Sequence, residues 1–286
     1  MKGLKNVKVY IKNVGVVTTN IGIENGKIAY IGDNAENIEP LFETDGVVLP
    51  GFIDEHIHGA GGADAMDGTV EALQTISEFV AREGTTGFLA TTMTQSPENI
   101  TSALKAVKKI REKGEYKGAE VLGVHLEGPF ISPKHVGAQP LEYVANPSAK
   151  LFDEYNKASG NAIKIVTLAP EVEGGLELVK HLGEKGVVAS VGHTGGKYAD
   201  VVKAVAAGAT NVTHTYNAQT GLHHREAGVV GAAMLLDELN CEMICDTIHV
   251  SVPAIKLVIK NKPHDKYTLI TDAMRAKGMP DGKSEL

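Results

Sequence analysis

Val47-Val48-Leu49-Pro50-Gly51-Phe52-Ile53-Asp54-Glu55-His56-Ile57-His58 is the stretch in which the chain changes character. Before it come short β-rich pieces. From it onward an apolar strand, a polar loop and an amphipathic helix recur with the regularity of βα units. Eight candidate strands follow: 47–57, 85–93, 120–130, 163–169, 187–192, 209–215, 241–247 and 267–272. Eight strands alternating with helices favour a closed (β/α)8, TIM-like barrel over an open doubly wound sheet. No glycine-rich dinucleotide fingerprint follows the first of them, which weakens the open-sheet alternative further.

The helices between these strands carry their own punctuation. Val70, Leu73, Ile76 and Val80 share one helical face, and Gly84 stands where a C-terminal cap belongs. Ser96-Pro97 reads as an N-cap followed by proline in the first turn, and Gly114 follows the end of the same helix. Upstream, Val7 to Ile11, Ile21 to Ile23 and Lys27 to Ile31 read as strands, with the hairpin signal Asn25-Gly26 between the last two. The expected organisation is therefore a small β domain over 1–48, half of a β-sandwich, and a barrel over 49–286. The chain stops at Ser284-Glu285-Leu286, soon after the eighth strand and without a final helix. The expectation is that the barrel is truncated at its C-terminus, the missing part including the last helix and strands that would pair with residues 1–48.

The formal net charge of -7, with lysines and arginines scattered among acids, offers no basic stripe for nucleic acid or an anionic membrane. A phosphate-bearing substrate then needs a local site. The start of the chain lacks the apolar region and cleavage site of a secretory signal, and no apolar run reaches membrane-spanning length. The expected address is cytoplasmic. Cys241 and Cys245 are four apart on a candidate strand, too far apart in extended chain to bridge, and read as buried thiols.

Polar and ionisable residues collect where the apolar strands stop, and in a barrel those ends form the face on which active sites are built. The first strand ends in Asp54-Glu55-His56-Ile57-His58, the third in His125-Leu126-Glu127-Gly128-Pro129 and the fifth in Gly192-His193-Thr194. The sixth ends in Thr213-His214-Thr215-Tyr216-Asn217, the seventh in Asp246-Thr247-Ile248-His249 and the eighth in Thr271-Asp272-Ala273. His56 and His58, two apart in extended chain, face the same side and form half a cation site. Taken singly, each of these histidines reads more readily as a hydrogen-bonded strand-end or loop residue than as a ligand, and Glu127 as a structural carboxylate. Their recurrence at one position of a periodic scheme points instead to a divalent metal. Imidazole with carboxylate suits zinc, iron or another first-row ion.

With those residues in hand, the chain resembles the N-acetylglucosamine-6-phosphate deacetylases of the amidohydrolase superfamily. The likeness rests on Pro50-Gly51-Phe52-Ile53-Asp54 leading to His56-Ile57-His58, on His125-Leu126-Glu127-Gly128-Pro129-Phe130, on Gly192-His193-Thr194, on Thr213-His214-Thr215-Tyr216-Asn217-Ala218 and on Thr271-Asp272-Ala273-Met274. It implies that Glu127, His193 and His214 hold a metal shared across the family, and that His56 and His58 hold a second. It implies Asp272 as general base and acid. Asn217, the Ala218 backbone, Arg225 and His249 would recognise the sugar phosphate, Arg225 by reaching across a homodimer interface. Where some members place a histidine that contacts the acetyl carbonyl, this chain has Gln139, whose amide can still donate to an oxyanion. Many amidohydrolases bridge two metals with a carboxylated lysine ending the fourth strand. Here that strand runs out at Ala169-Pro170-Glu171 and Lys164 sits at its other end, so the bridging charge falls to Glu127.

The resemblance implies deacetylation of N-acetyl-D-glucosamine 6-phosphate, in amino-sugar catabolism or cell-wall recycling. Water acidified by the metal attacks the acetamide carbonyl, and Asp272 takes its proton and passes it to the departing amine. The competing readings are another amidohydrolase, of cyclic amidase or adenine deaminase type, and an inactive metal-binding barrel.

Overall fold

In the computed structural model, which describes residues 1–284, eight parallel strands succeed one another in chain order around a single sheet. Glu285 and Leu286, the end of the expected 49–286 span, lie outside the described residues. The chain divides into two units, Met1–Phe52 and Ile53–Leu286.

The first unit is one mixed sheet. Strands β1 (Lys2–Ile11), β2 (Gly15–Glu24) and β3 (Lys27–Gly32) pair antiparallel in sequence, while the short β4 (Glu39–Pro40) and β5 (Val47–Val48) pair parallel with β1. Asn25 and Gly26 turn the second hairpin with φ of 52° and 73°, the left-handed pair such a two-residue loop requires. Leu4, Val7, Val9 and Ile21 form the unit's small core.

In the second unit the barrel strands are β6 (Phe52–Ile57), β9 (Thr85–Thr92), β10 (Glu120–Glu127), β11 (Ile163–Leu168), β12 (Val188–Val191), β13 (Asn211–Val212), β14 (Asn240–Ile244) and β15 (Tyr267–Ile270). Two-residue strands β7 (Gly59–Ala60) and β8 (Ala63–Asp64) make a small rim hairpin. Between barrel strands run α1 (Val70–Ala81), α2 (Pro97–Lys113), α3 (Ala149–Ala158), α4 (Gly175–Glu184), α5 (Tyr198–Ala207), α6 (Gly228–Leu235) and α7 (Val252–Asn261). Ser96 caps α2 by accepting from the Asn99 N–H, and Gly114 ends it at φ 65°. The end of α1 differs from expectation. Arg82 is still right-handed, and the left-handed turn comes two residues later at Gly84, φ 91°.

All eight barrel strands are shorter than their expected ranges, and two of them are cut the most. The stretch 47–57 is split: Val47–Val48 joins the first unit's sheet, Pro50 offers no N–H to a ladder, and the barrel strand begins at Phe52. The run 209–215 keeps only Asn211–Val212, because His214 and Tyr216 turn the backbone out of the strand with φ of 27° and 87°. Helix faces and strands meet in one core with Phe88, Phe130, Phe152, Leu73, Ile76, Ile100 and Leu104 fully buried. Each such side chain contributes about 1.5–3 kcal/mol relative to exposure.

The first and last barrel strands meet at the rim. Asp272 donates its N–H to the His56 carbonyl at 2.9 Å, and His58 and Gly59 donate theirs to the Ala273 carbonyl at 2.8 and 2.9 Å. Buried Asp54 spans the same seam, accepting from the His56 N–H, the Thr271 N–H and the Thr271 hydroxyl. Both Cys241 and Cys245 are free, Cys241 buried. No described helix is long and apolar enough to cross a membrane.

Candidate active site

Glu127 is the last residue of β10, and its two carboxylate oxygens face two different groups. Oε1 lies 3.0 Å from His214 Nε2 and 3.2 Å from His193 Nε2. Oε2 lies 3.2 Å from His58 Nε2, which is itself 3.3 Å from Asp272 Oδ1. His56 Nε2 stands 3.3 Å from the same Asp272 oxygen and 3.5 Å from Glu127 Oε1. Six residues from five strand ends are thus brought to one point, five of them buried and Asp272 partly open.

The backbone that carries them is bent at three of these positions. His193, His214 and Asp272 have φ of 46°, 27° and 48°, left-handed values that non-glycine residues adopt at a cost. Hydrogen bonds hold each bend. The His193 carbonyl accepts from the Ser132 N–H at 2.8 Å, the His214 carbonyl from the Asn217 N–H at 2.9 Å, and Asp272 is held by His56. Glu171 steadies the turn after His193 through the Thr194 hydroxyl and the Gly195 N–H. After Glu127, Gly128 turns at φ 73° in a place where a side chain would run into the Thr94 hydroxyl, so only glycine fits.

The donor set fits a divalent cation. His193 gives its Nδ1 hydrogen to the His135 carbonyl at 2.8 Å, which turns Nε2, the atom that would bind a metal through its lone pair, toward Glu127 and, at 3.1 Å, toward His214 Nε2. Two imidazole nitrogens and a carboxylate oxygen thus crowd together, with the Gln139 amide nitrogen 3.4 Å from His193 Nε2. His56 is arranged alike, its Nδ1 donating to Glu242 Oε2 at 3.0 Å and its Nε2 turned to the cluster without a hydrogen-bond partner. Glu127–His193–His214 and His56–His58–Asp272 are each grouped tightly enough to hold an ion. Among the described residues, no lysine or arginine pairs with Glu127, Asp272 or Glu242.

Without an ion, protons supply the counter-charge. Burial works against a charge on His56, but Asp272, Glu127 and the hydrogen bond to Glu242 lift it to about 9. Burial likewise opposes ionisation of Asp272, yet His56 and the hydrogen bond from His58 hold its carboxyl at about 2. Glu127 stays well below the usual carboxylate range because the charges on His56 and His193 outweigh its burial.

Above the cluster opens a cavity of about 580 Å³, a size suited to a small polar ligand. Gln139, Asn217, Ala218 and His249 line it, as do Lys277 and the apolar Met93, Ile244 and Met274. Arg225 does not. It lies on an exposed loop beside His224 Nε2, 2.9 Å away. The Gln139 amide is oriented by the Thr94 N–H, which donates to its Oε1 at 2.9 Å, so its Nε2 donates to Glu127 Oε2 at 2.9 Å. Lys164 is exposed on β11, away from the cluster.

Residues 47–277 match the amidohydrolase family. The chain is 44% identical to N-acetylglucosamine-6-phosphate deacetylase of Bacillus subtilis (strain 168) over 289 residues, covering 96% of this chain and 73% of the relative. The chain belongs to the amidohydrolase family, in its N-acetylglucosamine-6-phosphate deacetylase branch. Among solved amidohydrolases it resembles the deacetylase of that name from Thermotoga maritima, with TM-score 0.86 and 36% identity, covering 99% of this chain and 74% of the other. It is also similar to an aspartate-to-alanine mutant of the Mycobacterium smegmatis enzyme in complex with N-acetyl-D-glucosamine-6-phosphate, with TM-score 0.86 and 27% identity over 99% of this chain and 74% of that one.

Three contributors to this amidohydrolase site escape the sequence reading. Glu242 is hidden inside the run Asn240-Cys241-Glu242-Met243-Ile244, where one acid in an apolar strand is the only signal. Asp54 is visible in its motif but not as a seam. Lys277, paired with Glu83 at 2.9 Å, carries no sequence mark at all.

Proposed function

We propose that this chain hydrolyses the acetamide of N-acetyl-D-glucosamine 6-phosphate, giving D-glucosamine 6-phosphate and acetate. The observation that carries the reading is that Glu127 faces His193 and His214 with one oxygen and His58, beside Asp272, with the other, at the floor of a cavity. Glu127, His193 and His214 would hold one zinc- or iron-type ion, and His56 with His58 a second. When bound, such an ion polarises the acetamide carbonyl and acidifies water.

The remaining work belongs to the chain's own groups. Asp272, ionised and partly open to the cavity, accepts the proton of the attacking water on a carboxylate oxygen. It returns that proton to the amide nitrogen as the C–N bond breaks, because an unprotonated amine leaves poorly. Gln139 holds Glu127 with its amide nitrogen, which also lies 3.4 Å from His193 Nε2; with that imidazole engaged by an ion, its second hydrogen would turn to the carbonyl oxygen as it becomes an oxyanion. Asn217, the Ala218 N–H and His249 take the sugar and its phosphate.

Arg225, outside its own chain's cavity, fits a homodimer in which each copy lends this cation to its partner. A cytoplasmic location is supported by the substrate, a charged sugar phosphate that does not cross membranes unaided, and by two unpaired thiols. Acetate release from N-acetylglucosamine 6-phosphate, measured on protein stripped of metal and then resupplied with zinc or ferrous ion, tests the reading. Turnover that appears with the ion supports it, and turnover indifferent to the ion or absent in both states overturns it.

A further inference from the structure

Glu242 is fully buried on β14, between Cys241 and Met243. An ionised carboxylate in such a place must be compensated, and no lysine or arginine among the described residues does so. Its Oε2 accepts the Nδ1 hydrogen of His56 at 3.0 Å and the backbone N–H of His214 at 3.3 Å.

His56, His125 and Glu242 are clustered closely enough to suggest an ion of their own. The hydrogen bonds of His125 argue against it. Its Nδ1 donates to the Glu55 carbonyl at 3.0 Å, and its Nε2 accepts from the Thr167 hydroxyl at 2.7 Å. Both ring nitrogens are therefore occupied, and Nδ1 lies 3.8 Å from Glu242, outside hydrogen-bond range. Apart from the His214 backbone N–H, what remains for Glu242 is His56.

That pairing is unlike the other histidines of the cluster. His193 is braced by a neutral carbonyl, and the Nδ1 atoms of His58 and His214 have no hydrogen-bond partner. Only His56 has a carboxylate behind it, which fixes the hydrogen on Nδ1, turns the Nε2 lone pair to the cluster and raises its basicity as a ligand. We propose that Glu242 is the positioning residue of the His56–His58 cation site, so that affinity at this site, and not at Glu127–His193–His214, depends on its charge. This rests on the two-ion reading given above.

The test titrates metal-free enzyme with zinc against a chromophoric chelator, resolving two affinities in wild type, Glu242→Gln, His56→Ala and the double variant. Glu242→Gln is expected to weaken one site by about 10- to 100-fold and leave the other unchanged. His56→Ala should weaken the same site, and adding Glu242→Gln to it should change nothing further. Equal weakening of both sites, no weakening, or an additive effect in the double variant overturns the proposal. If His56→Ala itself leaves both affinities intact, the ligand reading fails and takes the proposal with it. Should Glu242→Gln not fold, Glu242→Asp keeps the charge but withdraws it by one methylene from His56 Nδ1; a smaller loss confined to one site is expected, and a loss at both sites or at neither overturns the proposal.

Discussion

The backbone N–H of Asp272 donates to the carbonyl oxygen of His56 at 2.9 Å, and the carboxylate of the same residue lies 3.3 Å from Nε2 of the same histidine. One residue thus joins the last barrel strand to the first and faces the candidate metal cluster. The contacts that close the barrel also place the carboxylate, with Asp272 bent at φ 48°.

Because the backbone contact does not involve the side chain, Asp272→Asn separates the two roles. The seam remains, while the group that accepts and returns a proton is gone. Turnover is expected to fall by about 10²- to 10⁴-fold with fold and metal content retained. Steady-state acetate release alongside elemental analysis checks this, and near-normal turnover removes Asp272 from its role.

The two groups facing Glu127 should be separable by substitution. His56→Ala is expected to lower bound metal from about two ions per chain toward about one, whereas His193→Ala empties the site it shares with His214. Elemental analysis of the purified variants reads this directly. Unchanged metal content in both contradicts the ligand assignment.

Much of this was legible in the sequence because barrel geometry converts a periodic pattern into a place. His56, Glu127, His193, His214 and Asp272 are far apart in the chain but end five of the eight apolar runs, and the fold brings such ends together. Local backbone bending was not legible. The run 209–215 looks like a strand to its end, yet His214 and Tyr216 leave it through left-handed φ values, the bend held by the Asn217 N–H donating to the His214 carbonyl and by the Thr215 N–H donating to the distant Glu242 carbonyl. Glu242 was lost for the opposite reason: in a strand buried on both faces, alternation no longer tells which side chains look inward.

Asp54 gives a stability prediction. Asp54→Ala leaves the His56 N–H, the Thr271 N–H and the Thr271 hydroxyl without their acceptor at the barrel seam. Loss of buried acceptors of this kind costs about 1–3 kcal/mol. Urea unfolding of metal-free protein should show the midpoint lowered with little change in slope. An unchanged midpoint means that the rim contacts of Asp272 and Ala273 hold the seam without it.

The phosphate should matter more to rate than its distance from the chemistry suggests. His249 lines the cavity and is held by Asp246, whose Oδ2 accepts from His249 Nδ1 at 2.6 Å and whose Oδ1 accepts from the Ile248 and His249 N–H groups at 2.8 Å each. That bracing directs Nε2 outward as the atom available to an anion. Binding energy gained at the phosphate can orient the acetamide over the cluster, so its loss should lower kcat as well as raise KM. A charge-assisted hydrogen bond contributes about 1.5–3 kcal/mol, or roughly 10- to 150-fold. N-acetylglucosamine without the phosphate should therefore lose at least that factor in kcat/KM. In His249→Ala the preference for the phosphorylated sugar should shrink by a similar factor, while the rate on the plain sugar stays near its wild-type value. A preference unchanged by His249→Ala moves phosphate recognition to Asn217, Ala218 or, in the proposed homodimer, Arg225 of the second copy.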